Sequence, residues 1–192
     1  MATNLPLIAL MGNPNSGKTA IFNLLTGMNQ KVSNYPGITV EQRRGNAQLT
    51  DNSTVEIMDM PGTYSLTPES LDEKIVAQQT LKWLNGIDRP AAIISVVDAG
   101  NLSRNLYLTS QVMELGIPVI IALNMMDRLK RKNQEIDSVK LQKMLGAHAV
   151  IPMSAQEKWG INELQAELTD VITKENIEVC SHIQMEIPTE IE

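Results

Sequence analysis

The chain has 192 residues, of which 43% are hydrophobic and 20% are charged, and its formal net charge is −6. This length and composition are typical of one soluble globular domain, and the negative charge disfavours a dedicated nucleic-acid surface. The single cysteine, Cys180, excludes an internal disulfide framework, and no run approaches the roughly 18 apolar residues of a membrane-spanning helix.

Apolar runs rich in valine and isoleucine recur along the chain, and a helical pattern follows each of them. The predicted strands span 7–11, 55–58, 91–97, 119–123 and 149–151, and the predicted helices span 19–25, 72–84, 104–115, 138–145 and 161–172. Ser103 is the predicted N-cap of the third helix, and Gly146 ends the fourth. Such alternation indicates an α/β fold with parallel strands covered on both faces.

The stretch 39–49 alternates between polar and apolar residues, which predicts an edge strand. A turn at 50–52 would pair it antiparallel with residues 53–58. The expected sheet is therefore mostly parallel, with about six strands, one antiparallel edge and helices on both faces. We expect this domain over residues 1–172, followed by an extended tail over 173–192.

Residues 12–19 read GNPNSGKT and match the phosphate-binding pattern G-x-x-x-x-G-K-[ST] between the first strand and the first helix. In that context backbone N–H groups curl around phosphate oxygens at a helix N-terminus. Lys18 is expected to reach the β- and γ-phosphates, and the Thr19 hydroxyl to coordinate Mg²⁺. The predicted nucleotide contacts here are Gly12, Asn13, Pro14, Asn15, Ser16, Gly17, Lys18, Thr19 and Ala20.

A second pattern selects the base. Asn124, Met125 and Asp127 follow a predicted strand, and the Asp127 carboxylate can accept both the N1–H and the N2 amino hydrogens of guanine, which adenine does not offer. Asn124 is expected to hold the base edge and to tie this loop to the phosphate loop. Ser154 and Ala155 follow the next strand, where a backbone N–H can meet guanine O6. Together these patterns favour GTP over ATP and predict a P-loop NTPase with a Ras-like G domain.

The nucleotide sensors are predicted at Asp59, Gly62 and Thr39. Asp59 ends a strand and is expected to bind Mg²⁺ through water, while the Gly62 N–H contacts the γ-phosphate. The Thr39 hydroxyl is expected to complete the Mg²⁺ coordination. The predicted catalytic set is Lys18, Thr39, Gly62 and Asn15.

Four strings, at 12–19, 34–41, 59–66 and 97–108, resemble the cytosolic G domain of the FeoB family of prokaryotic ferrous iron transporters. The similarity extends over about residues 5–170, and the family shares Met125 where Ras-like proteins carry lysine. The resemblance implies a G domain joined to a helical domain that slows GDP release and to a membrane permease, at the cytoplasmic face of the cell membrane. Since the chain ends at Glu192, we expect a fragment whose tail begins the connector, with a free-standing G protein as the alternative.

Hydrolysis is expected to be slow, because Thr63 stands where Ras-like enzymes place the glutamine that orients water, and no general base is evident. The resemblance implies that K⁺ supplies the missing positive charge, held by the Asn15 side chain and by carbonyls around Asn34 and Tyr35. Mg²⁺ and K⁺ are thus the expected cofactors. The expected partners are GTP, GDP and the permease part of the same polypeptide, with a second copy of the chain as a further candidate and no nucleic acid.

Other readings of the chain are less favoured. A soluble GTPase of ribosome or transfer-RNA maturation is the alternative function, and a small-molecule kinase is a third class. Several side chains are expected to be solvated or at an edge: Arg43, Arg44, His148 and the cluster Arg128, Lys130, Arg131 and Lys132. Cys180, His182 and Met185 are a weak case for an iron site, because no partner cluster accompanies them.

Overall fold

The structure is a computed structural model that describes residues 5–27, 30–35, 41–68 and 70–174. These residues form one sheet in the order β2-β3-β4-β1-β5-β6-β7. Its strands are β1 (Leu7–Gly12), β2 (Gln30–Asn34), β3 (Glu41–Gln48), β4 (Thr54–Asp59), β5 (Ala92–Asp98), β6 (Val119–Asn124) and β7 (Ala149–Pro152). The predicted α/β class and mostly parallel sheet are confirmed.

Parallel pairing joins β4, β1, β5, β6 and β7, whereas β2-β3 and β3-β4 are antiparallel. The five parallel strands are largely buried, which explains their nearly continuous apolar sequences. Their carboxyl ends share one edge of the sheet, where Asp98 is in register with Asn124 and Gly12 with Val96. Ligands of open α/β sheets bind at this edge.

Helices cover both faces of the sheet, as predicted. They are α1 (Lys18–Thr26), α2 (Leu71–Leu84), α3 (Leu102–Met113), α4 (Met126–Arg131), α5 (Ser138–Leu145) and α6 (Ile161–Thr173). On one face, Phe22 of α1 and Leu164 of α6 belong to a core with β-strand residues such as Ile94. On the other face, Trp83 of α2 and Leu108 of α3 belong to a second core.

Three details differ from the sequence prediction. The edge contains an extra strand, β2, whose residues are all exposed and therefore carry no apolar signal. A short helix, α4, which the sequence did not predict, holds Arg128, Lys130 and Arg131 of the basic cluster. Ser103 lies inside α3 rather than capping it, because a turn of 3₁₀ helix over Ala99–Asn101 precedes the helix, and the side chain of Asp98 caps that turn.

The other predicted features are placed as follows. The turn after β3 joins it to β4, with the Leu49 N–H donating to the Ser53 carbonyl at 2.8 Å. Gly146 ends α5 in the left-handed region, with φ of 70°. Thr39 and most of the tail lie outside the described residues. Within the described ranges, no helix combines the length and the apolar character needed to cross a membrane.

Candidate nucleotide-binding site

The phosphate loop leaves β1 at Gly12 and enters α1 at Lys18. A Cβ atom on Gly12 would lie 2.7 Å from the Val96 carbonyl oxygen, so the neighbouring strand β5 requires glycine at this position. Gly17 has φ of 92°, and a Cβ there would lie 2.2 Å from Asn124 Nδ2. Both glycines of the pattern are therefore needed for close approach of the backbone, as well as for the curvature of the loop.

A cavity of about 450 Å³ opens over this loop. Its lining consists of Asn13, Pro14, Asn15, Gly17, Lys18, Thr19, Ala20, Gly62 and Asp72. All but Asp72 were predicted as nucleotide contacts. The position of the cavity at the N-terminus of α1 gives it the exposed backbone N–H groups and the positive helix end that favour a bound phosphate.

Lys18 and Asp59 form a salt bridge beside this cavity. Their side chains are only 11% and 8% exposed, so each charge depends on the other for compensation. Asp59 ends β4 next to β1, which explains how two residues 41 positions apart come into contact. The Asp59 carboxylate and the Thr19 hydroxyl are hard oxygen ligands of the type that Mg²⁺ prefers, so the residues present fit this ion.

Gly62 packs directly on the phosphate loop. A Cβ on Gly62 would lie 3.3 Å from Pro14 Cα, and the next residue, Thr63, donates its N–H to the Gly12 carbonyl at 3.3 Å. The Thr63 hydroxyl donates to the Ser65 carbonyl at 2.6 Å, and the residue is 1% exposed. The Thr63 side chain is thus engaged within its own loop.

Asp127 lies at the start of α4, where it is 3% exposed. Its Oδ1 accepts a hydrogen bond from Ser154 Oγ at 2.8 Å. Its Oδ2 is buried and has no hydrogen-bond partner among the described residues, although Arg131 Nη2 lies 3.4 Å away. A buried carboxylate oxygen without a hydrogen bond is costly, and the predicted role of Asp127, accepting from the N1–H and N2 amino group of guanine, would supply the missing hydrogen bond.

Asn124 joins three loops through its side-chain amide. Nδ2 donates to the Ser16 carbonyl at 2.9 Å, and Oδ1 accepts from the Ala155 N–H at 2.9 Å. Met125, the next residue, adopts φ of 63°, which directs the chain into α4. Because the Ala155 N–H donates to Asn124, it reaches guanine O6 only by sharing this hydrogen bond or breaking it.

The sheet therefore brings most of the predicted site residues to one edge. Most of residues 12–20 and Gly62 line the phosphate cavity, Asp59 contacts Lys18 beside it, and the residues predicted to select the base follow β6 and β7. Asn15 lies in the loop in the left-handed region, with φ of 64°. Thr39 is outside the described residues, so its place in the site stays a prediction.

Sequence reasoning missed a second polar group beside the phosphate loop. Asp98 ends β5, and its carboxylate accepts from the Gly100 N–H at 2.8 Å, while its own N–H donates to Asn105 Oδ1 at 3.2 Å. Arg104 stacks on the ring of Tyr64, 4.1 Å from its centroid. A cavity of about 220 Å³ separates these residues from the loop. The string at 97–108 contains Asp98, Arg104 and Asn105, but the sequence prediction assigned them no role in the site.

The side-chain contact of Tyr35 was also missed, since only the carbonyls around this residue were assigned a role. It is 6% exposed, and its hydroxyl donates to Met60 Sδ at 3.6 Å. Burial, and secondly the negative charge of Asp59, raise the pKa of Tyr35 to about 12. Tyr35, directly after β2, is thus anchored beside the end of β4.

Comparison with known proteins identifies the family of this chain. The model of the family "Ferrous iron transport protein B" matches residues 7–168. The Fe(2+) transporter FeoB of Escherichia coli K12 is 44% identical over 181 residues, which cover 92% of this chain and 22% of the transporter. The Fe(2+) transporter FeoB of Legionella pneumophila strain Paris is 47% identical over 163 residues, covering 83% of this chain and 21% of the transporter.

Solved structures give the same assignment. The cytosolic domain of L. pneumophila FeoB matches with a TM-score of 0.79 and 46% identity, covering 86% of this chain and 63% of that one. The cytosolic domain of T. maritima FeoB in its GMPPNP form matches with a TM-score of 0.81 and 37% identity, covering 90% and 65%. The chain spans about a fifth of the length of the curated relatives. With its G-domain fold and its match over most of its length, this chain belongs to the ferrous iron transport protein B family.

Proposed function

We propose that this chain binds GTP and GDP with Mg²⁺, hydrolyses GTP slowly, and acts as the regulatory G domain of a ferrous iron transporter at the cytoplasmic face of the membrane. The observation that carries the nucleotide part is the buried Asp127 carboxylate, whose Oδ2 has no hydrogen bond within the described ranges. The transport part is supported by family membership and by the transporters that the chain resembles.

In the proposed bound state, Lys18 exchanges the Asp59 carboxylate for the β- and γ-phosphates, and Asp59 turns to the metal through water. Mg²⁺ would be held by Thr19, Asp59 and Thr39, and when bound it neutralises phosphate charge. The Gly62 N–H would sense the γ-phosphate, a role supported by the packing of Gly62 on the phosphate loop. An exchange of partners by Lys18 couples nucleotide binding to the loop that follows Asp59, which is the region that switches in G domains.

The proposed slow hydrolysis is supported by Thr63, which stands in place of the glutamine that orients water and whose hydroxyl donates to the Ser65 carbonyl in its own loop. We propose that Asn15 holds K⁺ as an additional positive charge near the phosphates. The test measures GTP turnover in matched K⁺ and Na⁺ buffers. Stimulation by K⁺ that is lost in Asn15→Ala but kept in the control Asn46→Ala, an exposed residue of β3, supports the role, and unchanged stimulation in Asn15→Ala overturns it.

Base selectivity is tested by Asp127→Asn. An amide at this position has only one acceptor oxygen, and its NH2 group faces a donor of guanine but can donate to the carbonyl at C2 of xanthine, so affinity for GDP should fall by about 10⁴-fold while XDP binds in its place. The matched control is Glu157→Gln, which removes a neighbouring charge without touching the base. Unchanged GDP affinity in Asp127→Asn would contradict the proposed site, and tight ATP binding by the unmodified chain would contradict the assignment of GTP.

The link to iron transport needs the full-length polypeptide. Replacing the corresponding segment of the E. coli relative by this chain should restore ⁵⁵Fe²⁺ uptake to cells that lack the transporter, and Asp127→Asn in the chimaera should abolish it. The alternative, a soluble GTPase of ribosome or transfer-RNA maturation, is disfavoured by the family match. Copurifying RNA together with a chimaera that never restores uptake would favour this alternative.

A further inference from the structure

Three side chains of types that bind metals cluster between β7 and α6. They belong to neither hydrophobic core, and none of them belongs to the nucleotide site. His148 directly precedes β7, and Glu167 and Asp170 lie three positions apart on α6. Their ligand atoms are all within 4.8 Å of one another. We propose that His148, Glu167 and Asp170 bind a divalent first-row transition-metal ion.

The distances match coordination of one ion. His148 Nε2 lies 3.5 Å from Glu167 Oε2 and 3.4 Å from Asp170 Oδ2. Metal–ligand bonds of about 2.0–2.2 Å place neighbouring donor atoms roughly 3.0–3.6 Å apart. Nε2 is buried and makes no hydrogen bond of normal geometry in the described part of the chain. The imidazole therefore presents a buried nitrogen to two carboxylate oxygens.

The surroundings hold the histidine in place and leave access for an ion. The His148 N–H donates to the Val119 carbonyl at 2.9 Å, and its own carbonyl accepts from Gln142 Nε2 at 2.8 Å. The side chain of His148 is 15% exposed, whereas those of Glu167 and Asp170 are 37% and 38% exposed. An ion can enter from the carboxylate side and keep water in its remaining positions.

The donor set defines the chemical class of the ion. One imidazole with two carboxylates suits Zn²⁺, Fe²⁺ or Co²⁺ and disfavours Mg²⁺, which prefers oxygen ligands. A competitor is already present, since Lys174 Nζ contacts Asp170 Oδ2 at 2.6 Å. The ion must displace this ammonium group. Because Lys174 is the C-cap of α6, binding changes the contacts at the point where the chain leaves the helix.

The first test follows the imidazole directly. The chain has two histidines, so the variant Cys180→Ser/His182→Ala leaves His148 as the single imidazole and removes two tail ligands. Its ¹⁵N spectrum is recorded without nucleotide during titration with Zn²⁺, and the Nε2 resonance of His148 is expected to shift to saturation at one equivalent. Mg²⁺ at equal concentration should leave it in place. An Nε2 resonance that Zn²⁺ does not move overturns the proposal.

The second test uses variants in the same background. Glu167→Gln and Asp170→Asn should each weaken Zn²⁺ binding about tenfold or more, whereas Glu163→Gln, elsewhere on α6, should not. Lys174→Met should tighten binding several-fold because it removes the competing cation. If the three residues form only an ion pair with protonated His148, none of these changes will appear. The metal-site proposal does not rest on the proposed GTPase function. Because both tests omit nucleotide, the metal site and the GTPase function can fail independently of each other.

Discussion

The candidate site has two sides that are built differently. The base side consists of Asn124, Asp127 and the loop after β7, and the phosphate side consists of the phosphate loop, Asp59 and Gly62. Around Asn124 and Asp127, neutral and charged hydrogen bonds connect α4, the loop after β7 and the phosphate loop. On the phosphate side, Lys18 is satisfied by Asp59, a charge that must find another partner when Lys18 binds phosphate. This contrast supports the proposal that base recognition is preformed except at the Ala155 N–H, whereas the phosphate side changes partners when nucleotide binds, as a nucleotide-controlled switch requires.

The largest effect is expected where the two sides meet. In Gly17→Ala, the new Cβ would lie 2.2 Å from Asn124 Nδ2, and φ of 92° strains any side chain. The clash should separate Asn124 from the Ser16 carbonyl, so that GDP binding is lost in titrations with a fluorescent GDP analogue. The control is Gly27→Ala at the other end of α1, which also has positive φ but has no atom within 4 Å of the new Cβ. It should cost about 1–2 kcal/mol of stability and retain binding. Equal GDP affinity in the two variants would show that the close contact between Gly17 and Asn124 is not needed for binding.

The phosphate side is tested by Lys18→Met, which keeps the aliphatic stem and removes the charge. GTP turnover should fall about 10²–10³-fold, the usual loss for one group that stabilises transition-state charge. Without nucleotide, Asp59 loses its partner, and the free energy of unfolding should fall by about 3–5 kcal/mol.

The double variant Lys18→Met/Asp59→Asn separates these two effects. Since it removes both charges, it should recover most of the stability in urea unfolding but none of the turnover. If stability does not recover, Lys18 and Asp59 do not compensate each other's charge, and the phosphate side does not depend on this ion pair.

A smaller effect is expected on the base side from Ser154→Ala. This change removes the hydrogen bond to Asp127 Oδ1 and the acceptor for the Glu157 N–H. The Asp127 carboxylate stays buried but is no longer oriented, and a hydrogen bond to a charged group contributes about 1.5–3 kcal/mol. GDP affinity should therefore fall about 10- to 100-fold. The control Ser110→Ala, which loses only a bond to the Tyr107 carbonyl in α3, should bind as before. A preformed base side would be ruled out by unchanged affinity in Ser154→Ala.

The same contrast explains what the sequence could predict. The parallel strands were predictable because burial on both faces requires continuous apolar runs. The phosphate loop was predictable because its close backbone contacts require glycine at fixed positions. β2 was missed because all its residues are exposed, and α4 because a six-residue helix is too short for a periodic pattern. The pairing of Ala155 with Asn124 and the contact of Tyr35 with Met60 depend on residues far apart in sequence, so no local pattern indicates them.

The smallest expected effect concerns Tyr35, on the phosphate side. Its pKa of about 12 exceeds the ordinary value of 10.0, so folding favours the neutral phenol. This contribution to stability is complete below pH 10 and is lost as the pH rises through 12. Absorbance at 295 nm should show one of the three tyrosines titrating last, and Tyr35→Phe should remove that step, with circular dichroism verifying that the chain remains folded.

Removing the charge of Asp59 tests the second cause of this raised pKa. Burial is the main cause and the negative charge of Asp59 is the second. In Asp59→Asn the pKa of Tyr35 should therefore be lower than in the unmodified chain but still above the ordinary value of 10.0. The same absorbance titration measures the difference. A Tyr35 step at an unchanged pH would mean that the charge of Asp59 does not reach Tyr35, so that a change of partner at Asp59 would leave the phenol unaffected.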